Sequence, residues 1–328
     1  MPRRRTLVGG SASLVRAGIC LALALLPIGC YARSAAGSES GFTIVDSIVL
    51  HDATRHRDIP LKIYAPANGN TVPLLIFSHG FGSNKDGYVY LAQAWAAAGY
   101  AVIVPTHLGG DRAALLAKGY AAVLSGEAVS AGQLQDNARD ISFIIASLDN
   151  IARLAPQLAG VIDPKRIGVA GHSMGAGTVM VLDGATLPGL TATVSDPRVL
   201  AFIAISPQGM ASSADAHRWD GVARPTFTIY GSNDIGAQGQ PPTWRHDPFD
   251  RMPPGDKYNL IVEGANHFSF ADKPESAVIA ELVSRGQTRD IGEIHDEVAR
   301  ATLLFWNAYL ENDDGAKTAL EKLATEKK

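Results

Sequence analysis

The chain has 328 residues, 46% of them hydrophobic and 19% charged, with a formal net charge of −3. That is the composition of a globular protein long enough for one large α/β domain, and it excludes a disordered, fibrous or low-complexity chain. No basic excess is present to favour a nucleic-acid partner.

At the start, Arg3, Arg4 and Arg5 precede an apolar run from Ala17 to Ile28, and small residues follow at Ser34-Ala35-Ala36-Gly37. This is the layout of a secretory signal over residues 1–36, with an apolar part too short for a comfortable membrane span. Arg4-Arg5-Thr6-Leu7 also permits twin-arginine export. The two cysteines are Cys20 and Cys30, and Leu26-Pro27-Ile28-Gly29-Cys30 resembles a bacterial lipoprotein processing box. Pro27 stands where that box usually has Leu, so a lipid anchor at Cys30 and ordinary cleavage near Ala36 both stay open. The expected location is outside the cytoplasm: periplasmic, membrane-anchored as a lipoprotein, or secreted. Loss of residues 1–29 takes away four of the 29 basic residues and no acid, leaving 25 against 32, a net charge of −7. With no cysteine pair in residues 37–328, that single domain is expected to be held by its core alone.

From Phe42 onward strand-like and helix-like segments alternate, as in an α/β fold with a mostly parallel sheet. Thr43–Leu50 and Ile59–Tyr64 read as an opening antiparallel pair. Leu74–Phe77 and Tyr100–Val104 are solidly apolar, as expected of strands covered on both faces, and Tyr88–Ala98 between them is helical. Asp136–Leu154 has apolar residues at helical spacing, and Asp163-Pro164-Lys165 is a turn. Strands follow at Arg166–Ala170, Val199–Ile205, Thr226–Tyr230 and Tyr258–Val262, with a helix over Met174–Asp183 and a long final helix over Glu293–Leu310. Two excursions break the alternation, His107–Gln135 and the proline-rich Ile235–Asp256 with Trp244, Arg245, His246 and Phe249. Each leaves the end of a strand, where rims of a binding pocket are commonly built.

The strand at Arg166–Ala170 runs into Gly171-His172-Ser173-Met174-Gly175, a G-x-S-x-G element, and a helix follows at once. That context makes the short pattern informative: a sharp strand–helix turn lifts the Ser173 hydroxyl, and the helix N-terminus favours developing negative charge. A serine needs a base. His267, in Gly264-Ala265-Asn266-His267-Phe268 after a strand, is the candidate. His295 sits inside the last helix, His246 has no strand end before it, His217 has no supporting context, and His172 is expected to pack beside the elbow or to touch substrate. Asp234, in Tyr230-Gly231-Ser232-Asn233-Asp234, is the candidate acid; the loop after the preceding strand, Ser206-Pro207-Gln208-Gly209, has none. The order Ser173, Asp234, His267 is that of α/β-hydrolases. Backbone N–H groups of Met174 and Phe81, the latter in Ser78-His79-Gly80-Phe81-Gly82, are expected to hold an oxyanion. Phe81, His172 and Trp244 are the expected substrate contacts. No two histidines share one element at ligand spacing, so no metal is expected.

Pro73–Gly82, Arg139-Asp140-Ile141-Ser142-Phe143, the elbow, Tyr230–Asp234 and Gly264–Phe268 together resemble dienelactone-hydrolase-like α/β-hydrolases. They are similar also to the platelet-activating-factor acetylhydrolase and chlorophyllase-like branches, and more distantly to bacterial polyester hydrolases. The resemblance spans Ile59 to Leu310 and implies an α/β-hydrolase fold, with about eight mostly parallel strands and helices on both faces. It also implies a cofactor-free serine esterase acting on a small-molecule or lipid-like carboxylic ester. Dienelactone hydrolases themselves use a cysteine nucleophile, where this chain has Ser173, and the polyester hydrolases usually carry disulfides that this chain cannot form. Two other readings are a lipase-like or polyester hydrolase of large apolar substrates and, from another class, a catalytically silent binding protein on the same fold. Oligomeric state is left open by the sequence.

Overall fold

The apolar runs pair into a nine-stranded sheet of order β1-β2-β4-β3-β5-β6-β7-β8-β9. The strands are β1 (Phe42–Asp52), β2 (Arg57–Pro66), β3 (Val72–Ser78), β4 (Ala101–Pro105), β5 (Ile162–His172), β6 (Val199–Ile205), β7 (Thr226–Gly231), β8 (Lys257–Val262) and β9 (Thr325–Lys327). In this computed structural model the described residues are 41–125, 128–190, 194–212, 215–272, 280–281 and 283–327. The signal-like segment, Cys20 and Cys30 lie outside them. The six strands from β4 to β8 run parallel, while β1 and β2 at one edge and β9 at the other are antiparallel. Every residue of β3, β4 and β7 is buried, which is why these strands lack the alternation of a half-exposed strand.

Helices cover both faces. On one lie α1 (Val89–Ala97) and α7 (Ile291–Leu310), whose Trp95 and Trp306 meet edge to face at 5.9 Å within a core shared with Phe77, Phe227 and Phe305. The other face holds α3 (Ala131–Ala146), α4 (Leu148–Leu154) and α5 (Met174–Asp183), packed through Ile141, Ile144, Ile151 and Val179 onto Leu74, Ile76 and Val169. α2 (Arg112–Ser125) and α6 (Asp247–Arg251) belong to the two excursions, and α8 (Asp314–Leu323) follows α7. The mostly parallel sheet layered by helices is an α/β fold, as expected. Among the described residues no helix is long and apolar enough to cross a membrane.

Four details differ from the sequence expectation. The helix expected over 136–154 begins at Ala131, where the Ser130 hydroxyl accepts from Gln133 N–H, and breaks at Ser147 into α3 and α4. The turn at Asp163 is a bulge inside β5, because pairing with β3 jumps from Asp163 to Ile167 and resumes on both sides. α7 is not the last helix. After Asp313 caps α8 through Ala316 N–H, the chain returns to the sheet as β9 and pairs with β8, so an edge that would otherwise be open is covered and the strand count reaches nine.

Candidate active site

The C-terminal ends of β3, β5, β6, β7 and β8 deliver Ser78, Ser173, Ser206, Asp234 and His267 to one edge of the sheet, where parallel α/β sheets place their sites. β5 ends at His172, and Ser173 takes φ 56° and ψ −112° before α5 begins at Met174. A non-glycine residue rarely adopts that backbone, and the neighbours enforce it. A Cβ on Gly171 would come within 2.4 Å of the Gly175 carbonyl oxygen, and one on Gly175 within 1.9 Å of the Ser78 carbonyl oxygen. The elbow is therefore wedged against itself and against the loop leaving β3. It is tied to the sheet by Ser173 N–H donating to Ile205 O at 2.9 Å.

Ser173 Oγ lies 3.0 Å from His267 Nε2, and His267 Nδ1 lies 2.9 Å from Asp234 Oδ1. His267 opens a short 3₁₀ turn (His267–Phe270), which Asn266 caps by accepting from Phe268 and Ser269 N–H while Ser269 Oγ accepts from Asn266 N–H. This reciprocal capping fixes the imidazole on a loop that would otherwise be free to swing. Asp234 is fully buried. Burial pushes its carboxyl up, but the charge and hydrogen bond of His267, the Arg245 charge and the Ser206 hydroxyl pull it further down, to about 2. It is an anion at neutral pH, and Ser206 donates to its second oxygen at 2.5 Å.

The Met174 N–H opens α5, and neither it nor the Phe81 N–H meets an acceptor among the described residues. Ser78 and His79 carry the β3 loop that abuts the elbow, so both free donors belong to backbone packed in contact. His172 is buried, 3% exposed, with its Nδ1 2.9 Å from the Tyr88 hydroxyl; that hydroxyl also accepts from Gly80 N–H at 3.1 Å. Burial, then the neighbouring His267 charge, push His172 well below the usual histidine range. Trp244 spends its indole N–H on Met210 O at 2.8 Å. A cavity of about 590 Å³ opens beside His267, lined by Ile235, Pro242, Phe268, Asn233 and Thr288 among others; Phe81, His172 and Trp244 are not among its lining residues. The three other candidate histidines are engaged elsewhere: His295 stacks on Tyr90 at 3.6 Å, His246 lies 3.3 Å from Asp250, and His217 pairs with Asp220.

Among curated proteins, the chain is 24% identical over 300 residues to platelet-activating factor acetylhydrolase of Cavia porcellus. The match covers 78% of this chain, which spans 65% of the relative. The chain is similar to platelet-activating factor acetylhydrolase. No protein-family profile matches it.

Two parts of this site escape sequence reasoning. The first is a second Ser–His–Asp chain, wholly buried, behind the β3 loop. Ser78 Oγ lies 3.0 Å from His107 Nε2, and His107 Nδ1 3.0 Å from Asp140 Oδ2. Burial raises the Asp140 carboxyl, but His107 and Arg57 outweigh it and hold it at about 2; Arg55 Nη1 donates to it at 2.7 Å as well. Backbone N–H of His107 donates to His79 Nε2 at 3.0 Å. A backbone amide can only donate, so His79 carries its proton on Nδ1 and gives it to Gly80 O at 2.8 Å. Burial, then the His107 charge, press His79 down to about 3, which keeps it neutral. The network thus runs from Asp140 to the residue before Phe81. Asp140 stands in the Arg139–Phe143 tract, and its spacing gave no sign of that role.

The second is Arg245, placed by sequence only in a pocket rim. Its side chain is 3% exposed, and Nε lies 2.7 Å from Asp234 Oδ1. The 3₁₀ turn Pro242–His246 brings it under the acid loop. An arginine in a polar, proline-rich stretch would have signalled burial only with its distant partners in view.

Proposed function

We propose that this chain is a serine hydrolase cleaving carboxylic esters through an acyl-enzyme on Ser173. The observation carrying this reading is the unbroken line Ser173 Oγ, His267 Nε2, His267 Nδ1, Asp234 Oδ1, with steps of 3.0 and 2.9 Å across the ring. In the proposed cycle His267 takes the Ser173 proton as Oγ attacks the ester carbonyl, and the Met174 and Phe81 N–H groups receive the oxyanion. His267 then protonates the departing alcohol. Water repeats the sequence on the acyl-enzyme and releases the acid, restoring Ser173. Asp234, anionic throughout, keeps the His267 proton on Nδ1 and stabilises the imidazolium. The Ser173–acyl bond made in the first half-reaction is broken in the second, and water supplies the hydroxyl of the acid and, through His267, the proton that restores Ser173.

The relative's name specifies an acetyl group, and it supports an ester substrate with a short acyl chain. Export, by the layout of residues 1–36, is part of the same proposal. The test is a p-nitrophenyl ester series from acetate to palmitate with wild type and Ser173→Ala. Wild-type turnover highest on the short esters, and lost in the variant, is the expected result. Equal rates in the two proteins would remove Ser173 as nucleophile, and a maximum at palmitate would favour a lipase-like substrate.

A further inference from the structure

We infer that Arg245 is a positioning residue for the Ser173–Asp234–His267 site, clamping the acid loop while opposing protonation of His267; the inference rests on the triad reading above. Its guanidinium reaches four partners. Nε lies 2.7 Å from Asp234 Oδ1, an ion pair, and donates to Asp234 O at 3.2 Å. Nη1 donates to Ser206 O at 3.0 Å and Pro207 O at 3.2 Å, and Nη2 lies 3.1 Å from His267 Nδ1. One planar fork therefore ties together the loops after β6, β7 and β8. Lysine, with a single point of charge, could not do so.

The contact with His267 is the informative one. When Nδ1 carries the proton it donates to Asp234, and Nη2, itself a donor, gains nothing from it. When Nδ1 is bare it accepts from Nη2 instead. The proton then sits on Nε2, where it blocks removal of the Ser173 proton. Asp234 and Arg245 so favour opposite tautomers of one ring. The buried pair they form is already neutral, which means that an imidazolium adds a net positive charge next to a fixed one. The groups facing the His267 ring are Asp234, Arg245, Ser173 and the buried His172, whose ring centre is 4.8 Å away, while Arg285 lines the adjoining cavity. Asp234 is the sole acid among them. Arg245 offsets it, so the proton that His267 takes from Ser173 arrives beside a neutral ion pair and not beside a bare carboxylate.

The test is the rate at which a fluorophosphonate labels the full chain as a function of pH; Ser173 Oγ bonds to phosphorus, fluoride leaves, and His267 takes the hydroxyl proton. Arg245→Gln removes the charge and Arg245→Lys keeps it without the fork, with circular dichroism verifying that each folds. In Arg245→Gln the acidic limb is expected to rise by roughly one to two pH units. In Arg245→Lys the limb stays close to wild type. Both variants label more slowly on the alkaline plateau, by roughly 10-fold or more, because the acid loop has lost its clamp. A limb that stays put in Arg245→Gln, or moves equally in both variants, overturns the inference. Should Arg245→Gln fail to fold, Arg245→Lys alone decides: a limb displaced as far as one unit shows that the retained charge is not the agent. Labelling that persists in Ser173→Ala would instead sink the triad reading itself.

Discussion

Replacing Asp140 by Asn tests whether the buried network behind the β3 loop supports the site. Asp140 is fully buried and accepts from Arg55 Nη1 at 2.7 Å, Arg57 Nε at 3.0 Å, Arg57 Nη2 at 2.9 Å and His107 Nδ1 at 3.0 Å. Asparagine keeps one acceptor oxygen, introduces a donor towards donors, and removes the charge. Breaking a buried pair by removing one partner costs about 3–5 kcal/mol. Arg55 and Arg57 retain 18% and 13% side-chain exposure, so water recovers part of their solvation and the lower end, about 3 kcal/mol, is expected. Proton linkage gives a similar size: a carboxyl moved from about 3.9 unfolded to about 2 folded contributes about 2–3 kcal/mol at neutral pH. Because the folded value is the lower one, that contribution is complete above pH ~4 and disappears as pH falls through ~2. Urea denaturation of wild type and Asp140→Asn at pH 7, 5 and 3 is the assay. The gap should stand at about 3 kcal/mol at pH 7 and 5 and narrow at pH 3, with Tm at pH 7 lower by roughly 6 °C. Turnover should fall in kcat more than KM changes, as the Gly80–Phe81 backbone loosens. A variant as stable as wild type at pH 7, or a gap that widens in acid, would falsify the reasoning.

Two further substitutions probe the elbow and the acid. Asp234→Asn should lower kcat by about 10⁴-fold with KM little changed, since His267 then loses its tautomer partner and Arg245 its counter-charge; steady-state hydrolysis of p-nitrophenyl acetate reads this out, and a fall of less than about 10-fold would move the acid elsewhere. Gly175→Ala places a methyl 1.9 Å from a backbone oxygen that cannot move without β3. A loss of about 3 kcal/mol or more, or no folded protein, is expected from calorimetry, whereas a near wild-type Tm would show that the elbow tolerates widening.

The convergence of Ser173, His267 and Asp234 was legible because each is fixed by local chain features: a strand end, a glycine-bearing turn, and for Ser173 an immediate helix. The parallel order of the core strands followed from their unbroken apolar runs in the same way. Arg245 and the Ser78–His107–Asp140 network were not, because they depend on contacts 11 to 85 residues apart that no local feature of the chain announces. Ser206 was read as the absence of an acid, and its hydroxyl proves to serve the acid that sits one strand further on. The closing α8 and β9 escaped for a simpler reason. α8 buries only Ala316 and Leu320, and β9 is three residues long, below the length at which a pattern stands out.

The wedge between Gly175 and the Ser78 carbonyl has a consequence for how such a site can change. Ser173 and the Phe81 N–H cannot drift apart independently, since the backbone beside each is in contact with the other. Under the proposed function, variation in what the site accepts must then come from parts that touch neither. The cavity walls at Ile235, Pro242 and Phe268 are of that kind. Substitutions there can alter the shape offered to a substrate and leave the reacting atoms where they are. Under that reading the reacting groups are set in rigid backbone, and selectivity is left to side chains that can be exchanged one at a time.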